Sequence, residues 1–506
     1  MMDQAETLYA ELLQLNRRTS LLNSCSAVLG WERETFMPRR GAELRAEQLS
    51  LLAGVAHQWS TDPRIGELLQ QLEEDQAASA LPSEAGACLR EIRRTYDRAT
   101  ALPQKLVEAL SHTTALAQQQ WAEARKTSQY SQFAPWLEKI VALKREEAAA
   151  VGWPKGGCAY DALLDEYEPG ATSVEVRNVF RELRAELVPL IATIGGSTNV
   201  APVELLRREY PVPAQKKFVK QAATAIGFEF DAGRLDVAEH PFCSGFGPGD
   251  CRLTTRYDER FFSSAFFGTL HEVGHGLYEQ GLPEDHFGSP LGAAASLGIH
   301  ESQSRLWENL VGRSESFWQH FYPLARQAFP DALADVAQAD FLFAINHSAP
   351  SLIRVESDEV TYNLHIMLRF DLEFALINGD LQVADLPVAW NDRFQQDFGL
   401  TPPDDARGCL QDIHWGAGLF GYFPTYTLGN IYASQLFDTF TSEHPDYTSQ
   451  FSSGDFADLR EWLRQSIHQH GQRYTATDLI QRVTGDRLNQ QPLVDHLHGR
   501  FGPLYQ

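Results

Sequence analysis

Apolar residues recur at helical spacing through most of the chain. Leu106, Leu110, Ala117 and Trp121 share one stripe with polar residues between them, and Pro103 stands near the expected helix start. The pattern returns across residues 45–52, and again across 360–376, where Leu364, Leu368 and Leu372 recur every fourth residue. Such stripes predict amphipathic helices with one face in a core, and no chemistry is assigned to them. Prolines and glycines fall mainly between these stretches, as in WPKGG (153–157), EPGA (168–171) and YPVPAQ (210–215).

One region departs from helix. Residues 234–242 and 250–258 both read as extended, and the turn-rich CSGFGPG (243–249) joins them. Thr254, Thr255 and Tyr257 suit a strand better than a helix. A small antiparallel sheet is therefore expected midway along a mainly α chain. At roughly 150 residues per domain, 506 residues would suggest about three domains. No linker, repeat or low-complexity tract divides the sequence, so a single domain over 1–506 is the expectation.

Charge narrows the range of partners. Lys and Arg number 43 against 67 Asp and Glu, a formal charge of -24. So acidic a surface repels phosphate backbones and anionic headgroups, which argues against nucleic-acid and membrane-surface roles. No apolar run approaches the ~18 residues of a membrane span. The start, MMDQAETLYAELLQ, lacks the charged-then-apolar layout of a signal peptide. Six scattered cysteines form no C-x-x-C pair and read as reduced thiols. A soluble cytoplasmic protein is expected.

The chemistry concentrates at residues 271–275, HEVGH. On a helix, His271 and His275 project from one face and can share a metal ion, while Glu272 can serve as general base toward a water on that metal. The alternative is a helix with two partly buried histidines in local hydrogen bonds. A catalytic zinc needs a third protein ligand. Glu279 continues the i+4 series but lies about 12 Å along the axis from His271, too far for one tetrahedral centre. The longer H-E-x-x-H-x-x-G-x-x-H pattern fails as well. A carboxylate on a second helix remains, and GIHESQSRLWENL (298–310) offers Glu301, with Leu306 and Leu310 giving that helix a buried side. Spacing alone leaves Glu301 open between a metal ligand and a solvated glutamate near a helix start.

HEVGH followed by HESQS resembles the signature of the carboxypeptidase Taq family of metallocarboxypeptidases. Further motifs of that family follow the same order: His240-Pro241-Phe242; Asp250, Arg252 and Thr254; and Gly408, Gln411, Asp412, His414 and Trp415. The segments WERETFMPRRGAELRAEQLSLL and YDALLDEYEPG (160–170) are similar too, so the likeness covers nearly the whole chain. In the family's I-R-x-x-A-D pattern, Ser357 stands where alanine is common, which raises a question about polarity around Arg354 and Asp358. The resemblance implies a mostly helical, gluzincin-like fold with a deep groove, as in angiotensin-converting enzyme and neurolysin. It implies His271, His275 and Glu301 as metal ligands, Glu272 as general base, zinc or cobalt as the metal, and a homodimer. His240 enters as a substrate-binding residue through the same motif set.

A carboxypeptidase must also stabilise an oxyanion and hold a terminal carboxylate. Donors for the first are offered by His414, Tyr422 and Tyr426 in a Gly-rich segment, where plain aromatic packing is the alternative. Tyr426 and His414 are favoured, with Tyr422 left to the substrate. For the second, the planar fork of arginine pairs bidentately with a carboxylate, and Arg354 and Arg252 are the candidates. Nearby Glu356, Asp358 and Glu359 would make Arg354 a structural ion pair instead. The metal and these arginines would reverse, locally, the sign of an otherwise acidic protein. The expected reaction releases single C-terminal residues from peptides with broad specificity, proline disfavoured. An endopeptidase or dipeptidyl carboxypeptidase on the same metal, or a helical binding protein with a vestigial site, are the rivals.

Overall fold

The computed structural model describes residues 2–74 and 84–506. Helices make up most of it, with one three-stranded sheet among the described residues. The chain divides into two compact units: Met1–Thr100, Pro202–Ile345 and Phe437–Leu479 form the first, and Ala101–Ala201, Asn346–Leu436 and Ile480–Gln506 the second. No helix among the described residues is long and apolar enough to cross a membrane.

All three predicted stripes lie in helices, but they are buried to different extents. In Gln104–Thr127 of the second unit, Leu106 and Ala117 are buried, and Trp121 is half-buried with Nε1 donating to the Leu410 carbonyl. In Tyr362–Asn378, Leu364, Leu368 and Leu372 are buried, and so is much of the rest of the helix, including the adjacent row His365, Arg369 and Glu373. Ala42–Ser60 of the first unit contradicts the expectation of core packing. It is helical but buries no residue, and Leu44 and Leu51 are 60% and 69% exposed. A helical period reports which residues share a face, not whether anything covers that face.

The sheet also differs from the predicted hairpin. Strands β1 (Gly233–Val237), β2 (Cys243–Gly247) and β3 (Asp250–Thr255) lie in the order β1-β3-β2. Only β2 and β3 pair antiparallel; β1 runs parallel to β3, so the sheet is mixed. Most of the segment read as a turn is itself strand β2. The turn shrinks to Gly247–Asp250, where Gly247 and Gly249 adopt φ of 130° and 78°, conformations that glycine reaches without steric penalty. Pro241 has no N–H to give to a ladder, and β1 ends before it.

After the sheet comes helix α1 (Phe262–Gly281), which carries HEVGH. Its first turns are held by an aromatic cluster in the first unit: Phe262 and Phe266 stack at 5.3 Å, and Phe218 stacks on Phe266 at the same distance. Phe329, Phe341 and Trp318 meet these rings edge-on or tilted. Large interlocking rings fix the position of a helix well, so the site downstream stands on a rigid support. Helix α2 (Leu297–Arg305) crosses α1 and is capped by Ser296, whose hydroxyl accepts from the Ile299 N–H. Past Arg305 it continues as a π-helical turn, Leu306–Val311.

Candidate metal centre

His271 and His275 project from one face of α1, with ring centroids 4.9 Å apart. Both aim Nε2 at the same atom, Oε2 of Glu301 on α2, at 3.6 and 3.4 Å. All three donor atoms fall within 4.8 Å of one another. Ligand atoms held about 2.0–2.2 Å from one tetrahedral ion sit roughly 3.3–3.6 Å apart, so the two histidine-to-carboxylate spacings match a chelating set. The pattern-based exclusion of Glu279 as a ligand agrees with this geometry.

Helix packing makes the set possible. Gly274, between the two histidines, lies where an added Cβ would be 2.5 Å from the Gln303 carbonyl oxygen and 2.6 Å from the Ser304 Cα. Glycine lets α2 approach closely enough for a short glutamate arm to reach both imidazoles. Glu301 is then fixed by Arg305, whose Nε donates to Oε1 at 2.6 Å, and by the Ser304 hydroxyl, which donates to Oε2 at 3.1 Å.

The electrostatics suit ligation by His275 and Glu301. Burial, aided by neighbouring imidazoles, pushes His275 down to about 4, which leaves its ring neutral at pH 7. Burial works against ionising Glu301, yet Arg305 and the two histidines outweigh it and hold the carboxyl well below its usual range. Burial also disfavours a charged His271, but Glu301 and a hydrogen bond with Glu308 raise it on balance. Glu272, 6% exposed, is pushed up to about 7 by burial, with Glu301 and Glu308 adding to the effect and His271 opposing it. A carboxyl balanced near neutrality is suited to taking and returning a proton.

The remaining predicted residues of this unit lie on and beside the sheet. Arg252 in β3 directs Nε and Nη2 to the two oxygens of Asp250, both at 2.8 Å, and its guanidinium lies over Trp31 and Phe246. His240 is exposed in the connection between β1 and β2. Cys243 and Cys251 face each other across β2 and β3, sulfurs 3.6 Å apart, as free thiols.

The second unit brings Arg354, His414, Tyr422 and Tyr426 together. Arg354 is buried and pairs with Asp412 rather than with the acidic residues beside it in sequence: Nη2 and Nε donate to Asp412 Oδ1 at 2.8 and 2.9 Å. Asp412 is shared with the fully buried Arg369, whose Nε reaches Oδ2 at 2.7 Å. Arg354 Nη1 donates to the Tyr362 hydroxyl, and its guanidinium lies 5.4 Å from the Tyr426 ring centre. His414 packs against Phe423 at a tilt, ring centres 4.5 Å apart, with Tyr422 5.6 Å away. Burial pushes His414 down to about 4 despite Asp412, and its buried Nδ1 has no hydrogen-bond partner. Gln411 ties the motifs together, accepting from the Arg354 N–H and donating to the Leu352 carbonyl. The Ser357 hydroxyl donates to the Ile353 carbonyl, while Asp358 accepts from Ser348 and from the Thr361 hydroxyl. Serine at 357 therefore leaves the pairings of Arg354 and Asp358 intact.

Sequence reasoning missed the residues that hold these groups in place: His300, Glu308 and Arg305 around the metal ligands, and Arg369 behind Asp412. His300 precedes Glu301, Arg305 follows it by four residues and Glu308 by seven, so a helical-wheel reading of 298–310 would have found them. Nothing local points to Arg369.

A His-His-Glu set on two crossing helices, its glutamate buried and its histidines part-buried, with a second buried glutamate beside it, defines a helical metallopeptidase of the HEXXH kind. The chain belongs to the carboxypeptidase Taq (M32) metallopeptidase family, whose sequence model matches residues 11–501. It is 46% identical over 507 residues to thermostable carboxypeptidase 1 of Thermus thermophilus, covering 99% of each chain. Among solved structures, it is similar to the M32 carboxypeptidase of Deinococcus radiodurans (TM-score 0.95, 37% identity, 99% of each chain). It is also similar to metallocarboxypeptidase 1 of Trypanosoma cruzi (TM-score 0.93, 33% identity, 98% of this chain and 99% of that one). The protein is thus a metallocarboxypeptidase, a peptide hydrolase dependent on a divalent metal.

Proposed function

We propose that this enzyme removes single residues from the free C-terminus of peptides with broad side-chain tolerance, using zinc, or cobalt in its place, held by His271, His275 and Glu301. The observation that carries this reading is the convergence of both Nε2 atoms on Glu301 Oε2 beside the buried Glu272. Two imidazoles and a carboxylate suit zinc, and such sites leave a coordination position for water or substrate. Held by these residues, the ion would supply Lewis acidity toward the scissile carbonyl and an attacking water. Glu272 accepts the proton of that water and later delivers it to the leaving amine.

Substrate handling is assigned to the remaining residues. His414 and Tyr426 donate to the carbonyl oxygen as charge develops on it; a neutral imidazole has one N–H to give. Arg354 is the partner of the terminal carboxylate, since each of its terminal nitrogens keeps a second N–H beyond those given to Asp412 and Tyr362. Arg252 is the second cationic partner, and His240 and Tyr422 contact the peptide. Proline at the scissile bond is disfavoured because it brings no amide N–H. On the family likeness we assign a homodimer, and on its scattered thiols a cytoplasmic location.

A time course by mass spectrometry tests the reaction, with a free-ended peptide, its C-terminally amidated twin, a chelator and metal add-back. Stepwise loss of one residue from the free-ended peptide alone, stopped by chelator and restored by metal, is expected. Cleavage of the amidated twin at equal rate would instead favour an endopeptidase, and release of dipeptides a dipeptidyl carboxypeptidase.

A further inference from the structure

Each metal-facing histidine has a second ring nitrogen, and the two solve its partnering differently. His271 Nδ1 meets Glu308 Oε2 directly at 2.9 Å. His275 Nδ1 meets no carboxylate; it lies 2.6 Å from Nδ1 of His300, and His300 Nε2 lies 2.8 Å from Glu279 Oε1. Counting protons orders this chain. A histidine that gives its Nε2 lone pair to a metal carries its proton on Nδ1. His275 therefore donates to His300 Nδ1. His300 must then carry its own proton on Nε2, and that proton goes to Glu279. Once His275 carries its proton on Nδ1, no other arrangement fills both hydrogen bonds.

The fold is built to hold the far end of this chain. Glu279 follows His275 by one helical turn of α1, and His300 precedes Glu301 on α2, so the ligand pair and the relay pair sit side by side across the same helix crossing. Above Glu279 runs strand β2, where an added Cβ on Gly245 would lie 2.1 Å from Glu279 Oε2. Glycine there is what lets the carboxylate lie against the strand. Tyr278, with its ring centre 5.2 Å from that of His300, packs against the imidazole.

We propose that Glu279, acting through His300, is the positioning residue for His275: the relay fixes the tautomer and ring orientation of this ligand and so sets the affinity of the site for its metal. This rests on the reading that His271, His275 and Glu301 hold the ion. Partners of this kind typically carry 10- to 100-fold in metal affinity. The glutamate that helical spacing suggests as a third ligand thus serves the metal one residue removed.

The test is competition for Zn2+ between metal-free protein and a chromophoric chelator, together with the visible spectrum of the Co2+-loaded forms. E279A and H300L are expected to bind Zn2+ about 10- to 100-fold more weakly than the wild type and to shift the Co2+ band. The melting temperature of the metal-free forms should stay near that of the wild type. H300N, whose amide keeps an acceptor near the position of Nδ1, should recover threefold or more of the loss in H300L. If E279A fails to fold, E279Q takes its place, with at least threefold weaker binding expected. Binding by E279A (or E279Q) and by H300L within threefold of the wild type, in a preparation where H275A has lost the metal, overturns the relay alone. Wild-type binding by H275A overturns the ligand assignment itself, and the relay with it.

Discussion

Gly274 on α1 packs against the backbone of Gln303 on α2 so closely that a methyl group would sit 2.5 Å from the Gln303 carbonyl oxygen. This contact sets the distance between the histidine pair and Glu301. Gly274→Ala forces the helices apart, and overpacking of this kind costs about 1–3 kcal/mol. Thermal unfolding should show that loss, and zinc competition should show weaker binding, because Glu301 is carried away with α2. Wild-type affinity in this variant would show that the crossing does not set the ligand spacing.

Asp412 balances two arginines, Arg354 and Arg369, the second of them fully buried. Asp412→Ala leaves both charges without their partner. Losing one member of a buried ion pair costs about 3–5 kcal/mol, to be read from denaturant unfolding.

The same carboxylate carries a pH signature. Burial disfavours its charge, but Arg369 and Arg354 outweigh burial and hold it well below the usual range. The stability it contributes is therefore fully present above its unfolded-state pKa of about 3.9, and is lost as pH falls through the depressed folded value. Unfolding measured from pH 6 downward should show a steeper acid loss in the wild type than in Asp412→Asn. Parallel curves would contradict the pairing.

Leu51, 69% exposed, and Leu368, fully buried, both fall within predicted apolar stripes. Leu368→Ala should cost about 2–5 kcal/mol. Leu51→Ser should stay within about 0.5 kcal/mol of the wild type in the isolated chain. Chemical denaturation of the two variants checks the difference.

These contrasts show what the sequence makes legible. Helices were readable because a 3.6-residue period is local, and HEVGH because i and i+4 share a face by helix geometry alone. Glu301 required the family likeness, since spacing could not bring α2 onto α1; the contact at Gly274 does that. The sheet was misread because glycines in CSGFGPG look like turn residues, whereas Gly245 serves a strand that must lie against Glu279. The partner of Arg354 was sought among its acidic neighbours and found 58 residues away at Asp412, a pairing set by tertiary structure. Burial of a stripe is likewise a tertiary property, as Leu51 shows.

Glu272 is where the proposed mechanism stands or falls. The direct measurement is kcat/KM for a free-ended peptide in the Glu272→Gln variant, with bound zinc quantified in the same sample. With the three ligands untouched, metal content should match the wild type, while kcat/KM falls by about 10²–10⁴-fold or more. Turnover near the wild-type rate in a fully loaded variant would contradict the assignment of Glu272 as the base.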